Sequence, residues 1–494
     1  MQKTQSQPTL AAETAAPFGR GPLALWLVLG GLLALRIAGL LWSKTDLFFD
    51  EAQYWAWAKA PAFGYYSKPP LIAWIIWLTT ALFGDAEWAV RLSSPLLHTL
   101  TAFLVGRLGA RLYDERVGFW AAITFATLPA VSLSSLLVST DVPLLTAWAA
   151  TLLALCRFLA TRGMGAAMLF GLALGVGLNA KYAMAYLPLC LLLYAAITRE
   201  RRWVLRHAGT WSAFAIGATC LLPNLWWNYR NGFATLAHTG DNANWTGTLF
   251  HPVKFLEFFA AQFGVFGPVL FAVLLILAVR RAPWGRPADR FLLMFSLPIL
   301  AAISLQALLS RAHANWAATA YVAATILVVA VLCRPATRRL RNLSLILHAA
   351  IALAIPVSSA FAPSVVLPGG RQVYARVLGW HELADKLRTV AAERKVDTLV
   401  FDTRKSIAEM LYYMRDDRLR LVAWPPEGRP TDHFEMTRPY KPDGRPAIVV
   451  TPVPRPKQVL ARFPNAERLT PVPVPRAITS GGSMHLFAIS GKEP

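Results

Sequence analysis

Long apolar runs separated by short polar breaks set the pattern of the first 364 residues. Pro22 to Trp42 is interrupted only by Arg36, and further runs lie near 88–106, 117–137, 142–160, 165–179, 183–198, 209–227, 254–279, 291–309, 315–333 and 343–362. About 20 apolar residues in a helix cross the hydrocarbon core, so the pattern predicts about eleven transmembrane helices over 22–364. The first run has no small-residue cleavage site at its end and is expected to be a retained span rather than a signal peptide. Met1–Gly19 is polar, and 1–21 is expected to be a disordered cytoplasmic tail. After about residue 365 the periodicity changes. Segments 396–402, 447–452 and 484–490 alternate or run apolar like strands, and 404–414 reads as a helix. A small α/β domain is expected over 365–494. The expected fold is thus a polytopic all-α membrane protein with a small exported C-terminal α/β domain.

The polar breaks also carry orientation. Lys3, Arg20, Arg107, Arg111, Arg116, Arg157, Arg162, Arg199, Arg201, Arg202, Arg206, Arg280, Arg281, Arg286, Arg290, Arg334, Arg338, Arg339 and Arg341 fall on one set of alternate loops. The other set holds only Lys44, Lys59, Lys68, Lys181, Arg230, Lys254 and Arg311. Basic residues stay cytoplasmic, so the N-terminus is expected inside the cell and the C-terminal domain outside, periplasmic if the membrane is an inner membrane. This placement accounts for much of the net charge of +22 without nucleic acid. With 55% hydrophobic and 15% charged residues the chain is too apolar for an ordinary soluble enzyme. Cys156, Cys190, Cys220 and Cys333 sit in or beside apolar runs and form neither a disulfide framework nor a CxxC metal site.

The chemistry gathers on the side poor in basic residues. The loop 44–87 is far longer than a helix connection needs and is dense in aromatics. Asp50 precedes EAQYWAWAKA, an N-cap position for a short helix, and Pro69-Pro70 open a second, LIAWIIWLTTALF. Both are expected to lie along the exported surface of the bilayer. Asp50 and Glu51 either cap the first helix or are functional acids beside a cavity. Lys68 in YYSKPP, behind Tyr65 and Tyr66, either snorkels or meets a phosphate. Asp141, before Val142-Pro143, is an N-cap or a second carboxylate of the same site. Lys181 and Tyr182 lie between two apolar runs with almost no loop, where an ammonium needs a partner, and an anionic lipid head group supplies one. Arg311, His313 and Asn315 share the tight turn SRAHANW, and His238 lies in the loop 228–253.

Acids beside cations at a membrane surface suit sugar transfer from a lipid phosphate. A carboxylate takes a proton from an acceptor hydroxyl, and the cations neutralise a phosphate leaving group. The chain contains no phosphate loop and no dinucleotide fingerprint, in keeping with a lipid-carried donor.

The stretch FFDEAQYWAWAKAPAFGYYSKPPLIAWIIWLTTALFGDAEWAVRL, then LVSTDVPLL and GLNAKYAMAYLP, resembles the polyprenyl-phosphate-sugar-dependent glycosyltransferases of the GT-C superfold, in the branch related to protein O-mannosyltransferases and the lipid A aminoarabinose transferase (glycosyltransferase family 39-related). The resemblance covers most of 25–330. It implies Asp50 as general base, Glu51 beside it, Asp141 as second exported acid, and Lys68 and Lys181 at the donor phosphate. Tyr65, Tyr66, Tyr182, Arg311, His313, Asn315 and His238 complete the expected substrate-binding set. The implied partners are a polyprenyl-phosphate sugar donor, a glycolipid, glycan or protein acceptor, and the bilayer. No cofactor is required; a divalent cation is compatible with the acids, but no ligand spacing calls for one. The aminoarabinose transferases look like EKPP where Ser67 stands here, and a neutral or acidic sugar suits this chain at least as well. The competing reading is a secondary transporter or flippase, against which stand the lack of an internal repeat and the scarcity of charge at mid-membrane depth, Arg36 and His348 aside.

Overall fold

A computed structural model describes residues 23–245 and 247–491; the tail expected over 1–21 lies outside the described residues. The principal helices are α1 (Leu23–Trp42), α2 (Phe49–Ala58), α3 (Leu71–Phe83), α4 (Ser93–Leu112), α5 (Glu115–Thr127), α6 (Asp141–Thr161), α7 (Met164–Ala180), α8 (Tyr186–Ile197), α9 (Ala208–Arg230), α10 (Ala234–Ala243), α11 (Pro252–Val265), α12 (Pro268–Val279), α13 (Pro287–Met294), α14 (Leu297–Leu309), α15 (Ala320–Leu332), α16 (Arg338–Ser359), α17 (Trp380–Glu393) and α18 (Arg404–Tyr413). Contacts divide the chain into two units that do not follow its linear order. One holds 23–38, Lys68–Ile72 and Arg91–Pro356; the other holds Gly39–Ser67, Ala73–Val90 and 357–491. Most of the expected first loop, Lys68–Ile72 excepted, therefore shares a unit with the expected tail, where linear boundaries at 22–364 and 365–494 keep them apart.

The first unit is helical. Lipid is as apolar as leucine, so helices in a bilayer associate through close packing rather than through the hydrophobic effect. Glycines supply it here. A Cβ on Gly118 of α5 would lie 2.6 Å from the Gly106 carbonyl of α4, and one on Gly171 of α7 would lie 2.6 Å from the Ala213 carbonyl of α9. Asn179 adds a polar link between α7 and α9, its Nδ2 donating to the Cys220 carbonyl at 2.9 Å. Arg36, buried in α1, donates to the Ala126 carbonyl of α5, which gives a charge in an apolar run its partner.

Four stretches are long and apolar enough to cross a membrane among the described residues: Leu23–Trp42, Asp141–Thr161, Pro287–Leu309 and Pro335–Ser359. Shorter apolar helices accompany them. Two expected spans are broken. The run 117–137 becomes α5 and a short helix, Pro129–Ser134, because Leu128 before the proline is pushed to extended ψ. The run 254–279 becomes α11 and α12, bent by 117°. Gly267 at the bend has φ +95°, and Pro268 opens α12. A Cβ at Gly267 would also lie 2.2 Å from Nε2 of His348. The expected loop 228–253 contains the helix α10.

The second unit is built on a sheet with strands β1 (Thr398–Phe401), β2 (Arg420–Ala423), β3 (Ala447–Thr451), β4 (Glu467–Arg468), β5 (Val472–Pro473) and β6 (Ser483–Ile489). The order is β2-β1-β3-β6-β4, with β5 also paired to β6. β1 runs parallel to both neighbours, and β6 runs antiparallel to β3. Every residue of β1 and β3 is buried, which is why these strands read as unbroken apolar runs. Val400, Val422, Val449, Phe487 and Ile489 fill one face with Trp424 and Phe463.

Asp402 follows β1. It accepts a hydrogen bond from the Thr451 hydroxyl, while its Oδ1 is buried with no partner among the described residues. Burial pushes its pKa up from 3.8 to about 6. A raised folded-state pKa gives stability that is full below the unfolded value and is lost as pH rises through the folded one. Asp402→Asn should flatten that decline between about pH 4 and 7 by on the order of 3 kcal/mol, at about 1.4 kcal/mol per unit. Melting of wild type and variant across this range checks it, and parallel curves would refute the account.

Candidate active site

The first-loop acids are sorted by the start of α2. The helix begins at Phe49, with Phe48 at the N-cap, so Asp50 lies inside the first turn and not at the cap expected for it. Glu51 takes the capping role: its Oε2 accepts the Phe48 N–H at 2.8 Å, and the residue is 2% exposed. Asp50 is left pointing out of the helix. Its Oδ1 accepts from Nη1 of Arg404 at 2.8 Å, and the same nitrogen reaches Oε1 of Gln53 at 3.0 Å. Arg404 opens α18, which packs against α2. Its guanidinium and the Lys405 ammonium both lie over the Phe49 ring, at 4.9 and 5.0 Å.

The rest of this unit holds α2 and α18 in register. Leu47 N–H donates to the Tyr413 hydroxyl at 2.7 Å. The Trp55 indole packs edge-on to Tyr412 at 5.0 Å and donates to Asp85 at 2.7 Å. Asp46 accepts the Trp380 N–H at 2.8 Å. Tyr65 and Tyr66 belong to this framework. Tyr65 stacks on Trp57 at 4.6 Å, accepts from the Ala62 N–H and donates to the Trp57 carbonyl; burial pushes its pKa up to about 12. Tyr66 donates to the Pro430 carbonyl at 2.9 Å. Both rings are buried and both hydroxyls are engaged by backbone. His433 faces Trp57 and Tyr65 edge-on, and burial pushes it down to about 4, so it is neutral at pH 7.

The first unit holds a second cluster. Asp141 is the first residue of α6, and the cap before it, Thr140, makes no side-chain cap bond. The Asp141 carboxylate does not cap either. Its Oδ1 accepts from Nζ of Lys181 at 2.6 Å and its Oδ2 from Nδ2 of Asn315 at 2.6 Å. Lys181 sits at the end of α7, where the backbone turns extended before a 3-10 turn, Tyr182–Ala185. The pair is mostly buried, with side-chain exposures of 12% and 19%. Beside it Tyr182 donates to Oδ1 of Asn224 at 2.6 Å and accepts from Asn228 at 3.2 Å, both asparagines being fully buried on α9.

Asp141, Lys181 and Asn315 therefore converge, from runs 40 and 134 residues apart in sequence. Arg311 and His313 are exposed in the same turn as Asn315, and His313 packs edge-on to Trp316. His238 lies on α10, where its Nε2 accepts from Asn242 at 2.9 Å. Lys68 is half-buried. Arg404, Lys405, Gln53, Asn224 and Asn228 were not foreseen. Arg404 carried one legible signal, since it stands at the start of a helix directly after a strand, where ligands gather in α/β sheets. Among the described residues no three His, Cys, Asp or Glu side chains form a metal-holding group.

Similarity to known proteins bears on this geometry. The profile of the dolichyl-phosphate-mannose-protein mannosyltransferases matches residues 67–227. The lipid A galacturonosyltransferase RgtD of Rhizobium johnstonii is 38% identical over 417 residues, which cover 83% of this chain and 86% of that protein. An undecaprenyl phosphate-alpha-4-amino-4-deoxy-L-arabinose arabinosyl transferase of Pseudomonas aeruginosa is 28% identical over 227 residues, 45% of this chain and 39% of the relative. The crystal structure of ArnT from Cupriavidus metallidurans bound to undecaprenyl phosphate superimposes with a TM-score of 0.65 over 96% of this chain and 99% of that one, at 16% identity. At that identity the likeness speaks for the fold, which is GT-C. With a near-full-length relative at 38% identity, this multi-pass membrane protein belongs to the polyprenyl-phosphate-sugar-dependent glycosyltransferases related to protein O-mannosyltransferases and the lipid A aminoarabinose transferases.

Proposed function

We propose that the chain transfers an acidic sugar, galacturonate, from a polyprenyl-phosphate donor to lipid A on the exported face of the inner membrane. The likeness to a lipid A galacturonosyltransferase supports the sugar and the acceptor, and so does Ser67 in place of the acid that precedes the lysine in the aminoarabinose branch. The bias of basic residues supports a cytoplasmic N-terminus, about eleven crossings and an exported C-terminal region.

The observation that carries the mechanism is the fixed Lys181 ammonium. Asp141, itself bonded by Asn315, holds it at a helix end, and an ammonium has three donors, of which Asp141 takes one. Lys181, with Arg311 of the Asn315 turn and Lys68, binds the donor phosphate and stabilises it as it leaves. Asp141 acts as a positioning residue for Lys181. Asp50 is the general base. Arg404 occupies its Oδ1, which leaves Oδ2 to take the proton of the acceptor hydroxyl. The hydroxyl oxygen attacks the anomeric carbon, the bond to the phosphate oxygen breaks, and polyprenyl phosphate departs with inversion. Glu51 serves as the cap of α2. A divalent cation is not needed for any of these steps.

Release of polyprenyl phosphate by purified protein in detergent, offered a panel of polyprenyl-phosphate sugars with lipid A, tests this reading. A galacturonate donor should be used and an aminoarabinose donor refused. Asp50→Asn should lower kcat by about 10²–10⁴-fold. The Asp50–Arg404 pair is a third exposed on each side and such pairs contribute about 0–1 kcal/mol, so the variant should fold, and folded protein with wild-type turnover would refute the role. Lys181→Ala should raise the donor KM by about 10–100-fold, the value of one charge-assisted hydrogen bond, with a smaller change in kcat. An unchanged donor KM would remove the contact. Glu51→Ala should cost about 1 kcal/mol of stability and spare kcat; a fall in kcat matching Asp50→Asn would restore Glu51 to the chemistry.

A further inference from the structure

The first unit contains a cavity that the mechanism does not use. It measures about 730 Å³ and lies where α6 and α8 end and α9 begins, lined by Arg162, Arg202, Trp203, Arg206 and His207, among others. Asp141 opens α6 and Arg162 follows its last residue, so this helix sets the separation between them. Its 21 residues rise about 30 Å, the thickness of a hydrocarbon core. α6 is long and apolar enough to cross a membrane. The cavity and the Asp141–Lys181 pair therefore belong to opposite membrane faces.

The walls are tied to one another by the chain itself. Arg162 stands in the left-handed region, at φ +53°, and stops α6 with its N–H on the Phe158 carbonyl at 2.8 Å. Its guanidinium lies over the Trp203 ring at 4.5 Å. Nη1 of Arg201 donates to the Leu159 carbonyl at 3.1 Å. The 3-10 turn Arg199–Arg206 is thus clasped to the end of α6. The lining is chemically one-sided. Arg162, Arg202 and Arg206 supply three cations, and no acidic side chain lines the cavity among the described residues. Glu200 is the one acid between residues 142 and 240. His207 spends Nδ1 in accepting the Gly209 N–H at 3.0 Å, so the neutral ring carries its proton on Nε2. The Ala196 and Leu205 carbonyls are already taken, by Nη2 of Arg202 at 3.3 Å and Nε1 of Trp211 at 3.0 Å. Such a lining calls for an anion with several acceptor oxygens. Beside it, Met164, Met168, Ile197 and Trp211 expose large apolar side chains at the same ends of α7, α8 and α9. An anion that carries apolar chains covers both surfaces.

We propose that this cavity holds the phosphodiester of an anionic glycerophospholipid, with the acyl chains along the exposed apolar residues. Basic pockets between membrane helices on the cytoplasmic side take such head groups. The bias of basic residues puts this lipid in the cytoplasmic leaflet; the site itself needs only that α6 crosses. Arg162 follows α6, while Arg202 and Arg206 precede α9, so one head group bridges two connections of the bundle.

The test is equilibrium binding of radiolabelled phosphatidylglycerol or phosphatidylcholine, with identical acyl chains, to the full chain in a neutral detergent. One cation at a lipid surface changes affinity by about 5-fold, so wild type should prefer phosphatidylglycerol by about 100-fold. Arg202→Gln combined with Arg206→Gln should bring that preference to about 5-fold and leave phosphatidylcholine binding unchanged. Both arginines are exposed, so the double variant should fold. Arg199→Gln combined with Arg280→Gln removes the same charge from exposed positions outside the cavity and should keep most of the preference. Equal binding of both lipids by wild type would overturn the site. So would an equal loss of preference in the two double variants, which would mark diffuse surface charge. Displacement of phosphatidylglycerol by micromolar inorganic phosphate would assign the cavity to free phosphate and overturn the lipid-borne form.

Discussion

Two acids adjacent in sequence point 100° apart on a helix, and the start of α2 turns that rotation into a division of labour. Glu51 faces inward, is nearly inaccessible, and closes the cap on the Phe48 N–H. Asp50 is turned outward and meets Arg404. Contacts within this unit hold α2 in place. The Trp55–Tyr412 edge contact, the Leu47 bond to Tyr413 and the Asp46 bond to Trp380 all join the first-loop segment to elements that come more than three hundred residues later. A half-exposed ion pair adds little stability, so Arg404 orients rather than anchors. The buried contacts around it do the anchoring.

The Asp141–Lys181 pair works at a different depth. Both groups are largely removed from solvent, and the desolvation of two charges offsets much of their attraction. Such a pair is weak evidence for stability and better evidence for geometry. Asn315 strengthens that view. It takes the second carboxylate oxygen, so the acid can neither rotate nor release the lysine without breaking a second bond of 2.6 Å. The neighbouring Tyr182–Asn224–Asn228 network extends to Thr235, whose N–H donates to Asn228 Oδ1 at 3.1 Å, and lies at the turn after Lys181.

The sequence made the apolar runs legible because lipid imposes one length on every crossing. It could not show that 117–137 and 254–279 are broken, since proline and glycine inside an apolar run are tolerated in many spans and decisive only in context. Strands β1 and β3 fall within the segments read as strands, for burial on both faces leaves a run of apolar residues, and β6 overlaps the segment 484–490 from Met484 on. β2 escaped because RLVA begins on an exposed arginine. Asp50, Asp141 and Lys181 were visible as charges in the wrong company. Capping, one of the two readings open for each aspartate, is not what the helices show: caps are decided by a one-residue shift in where a helix begins. Arg404 and Lys405 were invisible as partners, because nothing in a linear reading joins residue 50 to residue 404.

The bend at Gly267 carries a constraint on how this chain can change. The positive φ bars side chains from the backbone side, and the ring of His348 bars a methyl group from the other. Position 267 is thus closed twice, by conformation and by volume. Shrinking residue 348 would open the space but not relax the backbone, so the two positions are not symmetric. Histidine can drift only while glycine stays, and among related sequences that keep the bend, the glycine should outlast its neighbour.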